Sequence, residues 1–255
     1  MNLENKKILV SHGDSFTHGV GFKLVEGKSI RIDLERPWPI LLSEKYNMEC
    51  INFGKEGISN ATIARDLLYY FSTTKNNFED LVVVVGWTNP SREDFYEKES
   101  NTWTTQSNFN DQQTLKDYVT YWKTFENDHI KTIIGRLAIQ SYLKLHNIPY
   151  LFFDTFRYQV EEKYKNWSPT INRNDTKSII DTIGNNSYYP LGGFNDRLID
   201  KEFYTEKVFC DEIFKLDETV GEGTYSFLPD DGHPNEKGHE HWANYLKEVI
   251  DGNQN

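Results

Sequence analysis

Four short apolar stretches punctuate a largely polar chain: "KILV" (7–10), "ECINF" (49–53), "DLVVVVGW" (80–87) and "IPYLFFDTF" (148–156). Each has strand length. The third is apolar over consecutive positions, the pattern of a strand covered on both faces. Between them the apolar positions recur at helical spacing. "PWPILLSEKYN" (37–47) begins with prolines suited to a helix N-terminus. "SNATIARDLLYYFST" (59–73) opens on capping residues and carries Ile63, Leu67, Leu68 and Phe71 on one face. The segment 115–147 is long enough for one extended helix or two with a break, and "PNEKGHEHWANYLKEVIDG" (234–252) predicts a final helix.

Strands that alternate with helices imply right-handed crossovers, a parallel central sheet and helices on both faces. In such α/β sheets ligands collect at the carboxyl ends of the strands. "GDS", "GKEGISN", "GWTN" and the polar segment after "LFFD" all follow predicted strands, so they gather on one edge. Between about 157 and 229 the pattern gives way to polar residues mixed with aromatics and turn signals such as "YYPLGG". This stretch reads as an insertion in a single domain spanning 1–255, either a surface excursion with short helices or a substrate-binding lid.

Composition narrows the possible partners. With 28 Lys and Arg against 39 Asp and Glu, the formal charge is −11. That balance disfavours nucleic acid and anionic membrane as partners. A small-molecule or carbohydrate substrate of little charge suits it better, and the oligomeric state is left open. Two cysteines, Cys50 and Cys210, do not make a disulfide framework. No apolar run approaches the roughly 20 residues of a membrane span. The N-terminus shows no signal-peptide pattern, so a cytoplasmic location is expected.

Candidate chemistry begins at "SHGDSFTHGVG" (11–21). A serine hydroxyl becomes a nucleophile when a base accepts its proton and donors await the developing oxyanion. Taken alone, Asp14 and Ser15 are equally well read as caps of the next segment. A base is available in "LPDDGHPNEKG" (228–238), where Asp230 and His233 stand at D-x-x-H spacing just before the last helix. On a short loop, that spacing lets the aspartate reach one imidazole nitrogen while the other faces a serine. Oxyanion donors are offered by the glycines of "INFGKEGISN" (51–60) and by the residues of "VVVVGWTNPSRED" (82–94). His12, Asp14 and His18 are read as pocket-lining or structural rather than as metal ligands. Arg92 and Glu93 read as a loop salt bridge or a substrate contact, and Trp103 with Phe109 as a loop anchor or a sugar-stacking surface.

Four blocks, "GDSFTHG", "NFGKEG", "GWTN" and "DDGHPN", stand in the order and strand placement of the SGNH/GDSL hydrolase superfamily, which the chain resembles over 5–90 and about 228–250. The resemblance implies a three-layer flavodoxin-like fold and hydrolysis of esters or thioesters through an acyl-serine, with no cofactor or metal. It assigns Ser15 as nucleophile, His233 as general base and Asp230 as the residue that orients His233. It places the Ser15 and Gly57 backbone N–H groups and an asparagine side chain in the oxyanion hole. One block departs from the pattern: the usual Gly-x-Asn is Gly86-Trp87-Thr88, with Asn89 one position later. Either Asn89 reaches in through a bulged turn or Thr88 fills the slot, with Asn89 preferred. Trp87, Thr88 and Arg92 are further candidates for substrate contact. The expected activity is a serine esterase acting on short acyl groups of a polar carrier such as a carbohydrate. Alternatives are a carbohydrate-binding module with weak or no catalysis, or an acyltransferase sharing the first half-reaction.

Overall fold

The computed structural model describes residues 1, 3, 5–26, 28–98, 101–105, 125–156, 205, 207–221, 224–227 and 233–252. Four of its strands form one parallel sheet. They are β1 (Ile8–His12), β4 (Glu49–Asn52), β5 (Leu81–Trp87) and β8 (Tyr150–Asp154), in the order β4-β1-β5-β8. These fall on the four apolar stretches of the sequence; β1 runs two residues past "KILV" to His12, and the other three are trimmed by a residue or two at their ends.

Side chains alternate across a strand, and here the alternation divides the core in two. On one face Val10, Val83, Val85, Trp87 and Phe152 pack with helix α3 (Asn60–Thr73) and helix α4 (Phe125–Leu145). On the other, Leu9, Val82, Val84, Leu151 and Phe153 pack with α2 (Trp38–Lys45), α5 (Phe209–Val220) and α6 (Glu236–Ile250). The result is helix layer, sheet, helix layer. Every residue of β5 is buried, as its unbroken apolar run requires.

The helices start where the sequence offers caps. Ser59 accepts the Thr62 N–H ahead of α3, and Asn235 accepts those of Lys237 and Gly238 ahead of α6. Helix α4 falls inside the predicted 115–147; the part of that prediction before residue 125 lies outside the described residues.

Two differences from the sequence expectations concern function. Antiparallel hairpins, β2 (Val20–Val25) with β3 (Lys28–Asp33) and β6 (Asp94–Glu97) with β7 (Thr102–Thr105), leave the sheet just after the first and third blocks. The expected insertion, where described, is not only a surface excursion. Helix α5 sinks Phe209 and Ile213 completely, and Phe209 stacks on Trp242 of α6 at a ring separation of 4.5 Å. The segment 157–204 lies outside the described residues.

Candidate active site

Ser15 opens a single helical turn, α1 (Ser15–His18), immediately beyond β1. Asp14 caps that turn by accepting the Phe16 N–H at 3.1 Å, and Gly19 closes it in the left-handed region. The capping reading of "GDS" therefore holds for Asp14 while leaving the Ser15 hydroxyl uncommitted to the cap. That hydroxyl lies 2.9 Å from Nε2 of His233, 218 residues away, just before helix α6. The imidazole also packs on the Phe16 ring at 4.8 Å, which fixes it over the serine turn. Asp230 lies outside the described residues.

The second block is stitched to the first by the backbone. Phe53 N–H donates to the Ser11 carbonyl and Lys55 N–H to the Gly13 carbonyl, extending the β1–β4 ladder past the end of the sheet. The Asn52 side chain donates to the Thr17 carbonyl and accepts from the Gly54 N–H, both at 2.9 Å. Gly54 is required by proximity: a Cβ there would sit 2.5 Å from the His18 nitrogen. Gly57, with φ of +66°, supplies the left-handed residue that turns the chain from this loop toward α3. Ser15 and Gly57 thus occupy adjoining loops at the carboxyl edge of the sheet.

The third block is held by a residue that motif reading passes over. Asn60 at the start of α3 accepts the Thr88 N–H through Oδ1 and donates to the Thr88 carbonyl through Nδ2, each at 2.9 Å. One side-chain amide satisfies both backbone groups of Thr88, and it reaches Thr132 of α4 at 3.1 Å as well. "SN" reads as a cap pair in the sequence, and Ser59 takes that role, which frees Asn60 for the clamp.

Around Asp14 a buried polar knot forms. Its carboxylate accepts the Thr88 hydroxyl at 2.5 Å and lies 3.3 Å from the Arg92 guanidinium. Burial pushes the Asp14 carboxyl above its usual range, against the opposing pull of Arg92, Thr88 and the Phe16 N–H. A second knot lies beside it. His12 accepts the Gly13 N–H at Nδ1, so its proton sits on Nε2, 3.4 Å from Asp66, which also pairs with Lys55 at 2.7 Å. Burial pushes the His12 imidazole below its usual range, against the pull of Asp66. Burial alone would raise Asp66, but its bonds to His12 and Lys55 outweigh this and take it down to about 2.

The remaining candidates separate clearly. Trp87 is fully buried in the core, edge-on to Phe152 and beneath Arg136. As the last residue of β5 it points into the same face of the core as Val83 and Val85, a consequence of side-chain alternation that the motif alone does not reveal. Thr88 occupies the Gly-x-Asn slot, but its hydroxyl is donated to Asp14. Asn89 uses its side-chain carbonyl to accept the Ser91 N–H at 2.9 Å, closing its own turn. Arg92 keeps a partly exposed guanidinium beside Asp14, while Glu93 pairs with Lys131. His18 donates to the Gly54 carbonyl. Among the described residues no cluster of three or more His, Cys, Asp or Glu side chains is placed to hold a metal.

This arrangement is a three-layer, flavodoxin-like α/β fold. Among solved structures, the chain is similar to a GDSL-like lipase from Parabacteroides merdae, with 13% identity and a TM-score of 0.50 over 98% of each chain. It is also similar to a psychrotrophic esterase from Pseudoalteromonas sp., at 12% identity and a TM-score of 0.49 over 97% of this chain and 98% of that one. A third likeness is to an acetyl xylan esterase from the rumen bacterium Butyrivibrio proteoclasticus, at 11% identity and a TM-score of 0.45, covering 97% of this chain and 64% of that one. No family model and no curated protein matches the sequence. Identities this low speak to fold, and no helix among the described residues is long and apolar enough to cross a membrane.

Proposed function

We propose that the protein is a serine esterase that cleaves its substrate through an acyl-serine intermediate. The observation that carries this reading is the 2.9 Å approach of His233 Nε2 to Ser15 Oγ at the carboxyl edge of the sheet. Ser15 Oγ attacks the ester carbonyl carbon as its proton passes to His233 Nε2. The carbonyl electron pair becomes an oxyanion, met by the Ser15 and Gly57 backbone N–H groups. His233 returns the proton to the departing alcohol. A water molecule, deprotonated by the same imidazole, then releases the acid and restores the serine. Asp230, three residues before His233, is assigned to orient the imidazole.

A short acyl group on a polar carrier, such as an acetylated carbohydrate, is the substrate class we favour. The acidic chain and the aromatic-rich segment around 157–229 support it. A specific observation favours a second reading, a carbohydrate-binding module with little catalysis: Thr88 stands in the Gly-x-Asn slot and its hydroxyl is spent on Asp14. The two separate by experiment. Purified protein should hydrolyse a short-chain chromogenic acetate and be labelled by a fluorophosphonate, with both lost in Ser15→Ala. Sugar binding without turnover or labelling would establish the module instead. An alcohol acceptor that diverts the acyl group from water would identify a transferase.

A further inference from the structure

The three-donor oxyanion hole that the block pattern implies lacks its third member in the expected place. Thr88 has one hydroxyl proton, and Asp14 holds it. The Asn89 amide is drawn back along its own turn by the Ser91 N–H. Four residues past Thr88, however, the same turn delivers a cation. Arg92 N–H donates to the Asn89 carbonyl at 3.1 Å, which fixes where its side chain departs. The guanidinium then reaches the carboxylate of Asp14, the residue directly before the nucleophile.

Its position is fixed from a second direction by a row of rings. Arg92 lies 5.3 Å from the Phe156 ring, Phe156 meets Phe16 at 4.9 Å, and Phe16 meets His233 at 4.8 Å. Arg92 and His233 are therefore anchored to the two ends of one aromatic row, with Phe16, the neighbour of Ser15, inside it. Among the described residues Asp14 is the hydrogen-bond partner of this guanidinium, and a guanidinium carries five N–H donors. The side chain stays 29% exposed while Asp14 is fully buried. One edge thus points inward to the carboxylate, and part of the side chain remains open to solvent.

Building on the acyl-serine reading, we propose that the open edge of Arg92 supplies the third oxyanion donor, in place of the asparagine of the Gly-x-Asn pattern. As the Ser15 Oγ–carbon bond forms and the carbonyl π bond breaks, the negative charge gathers on the former carbonyl oxygen. Arg92 donates an N–H to that oxygen together with the Ser15 and Gly57 backbone groups. It donates a hydrogen bond without transferring a proton, so the proton traffic remains between Ser15, His233 and the leaving alcohol. Asp14 aims the guanidinium from below.

The test compares wild type, Arg92→Gln, Arg92→Lys, Asp14→Asn and the Asp14→Asn/Arg92→Gln double variant. Each is assayed for kcat and KM on a neutral chromogenic acetate and for the rate of inactivation by a nitrophenyl alkylphosphonate, whose attacked centre becomes tetrahedral. Arg92→Gln should lose about 10²–10³ in kcat and in inactivation rate with KM within about threefold, and Arg92→Lys should keep part of both. A kcat for Arg92→Gln within about threefold of wild type overturns the proposal and leaves the serine mechanism standing. Recovery in the double variant to the rate of Asp14→Asn alone also overturns it, because Arg92 would then serve only to neutralise Asp14. A wild type that neither turns over nor is labelled at Ser15 removes the acyl-serine reading, and this proposal with it.

Discussion

At the scale of single residues, the site is built from side chains that each settle two demands. Asp14 caps the serine turn while holding Thr88 and Arg92, and His12 braces the Gly13 N–H while facing Asp66. The second pair makes a pH-dependent prediction. A carboxyl depressed from 3.8 to about 2 on folding adds stability that is complete above 3.8 and lost as the pH falls through 2. Asp66→Asn should therefore melt about 2 °C below wild type at pH 7, with the gap closing toward pH 2. Thermal scans across that range check it; a gap that widens in acid would contradict the assignment. These pairings were hidden from sequence reading for a plain reason. "GDS" and D-x-x-H are local spacings, whereas Asp14 meets Thr88 and Arg92 across more than seventy residues. Nothing in either segment encodes the other.

At the scale of elements, the loops owe their placement to short polar bridges between strand ends. Asn60 is the clearest, because it pairs with both backbone groups of Thr88 as a neighbouring strand would. Asn60→Ala would leave a buried N–H and carbonyl without partners, costing about 2 kcal/mol and about 5 °C in Tm. It should also lower kcat by freeing the turn that carries Arg92; melting and steady-state kinetics on the same preparation would show both. The strands of the sheet were legible because each is a compact apolar run. The hairpins were not. Val25 and Ile30, both 46% exposed, belong to a two-stranded ribbon outside the main sheet whose strands carry charged and apolar residues side by side, so no apolar run announces it.

For the molecule as a whole, the fold class was legible because periodicity and strand order act over the entire chain. The role of α5 was not. It follows a polar, aromatic segment, yet its Phe209 completes the second core against Trp242 and Phe153. Phe209→Ala should cost about 3–5 kcal/mol, as large-to-small changes in a packed core do. Denaturant titration would measure it. An effect below 1 kcal/mol would mean the layer closes without this helix.

The separation of Ser15 from His233 has a consequence in time as well as in space. The two groups lie 218 residues apart, and the later one depends on the docking of helix α6. On the proposed mechanism, a chain still being synthesised carries Ser15 long before His233 exists to activate it. Under the acyl-serine reading, hydrolytic competence then waits on the synthesis and docking of helix α6. Turnover then reports the closure of α6, and is absent from any fragment or partly opened state in which α6 has not closed over the sheet.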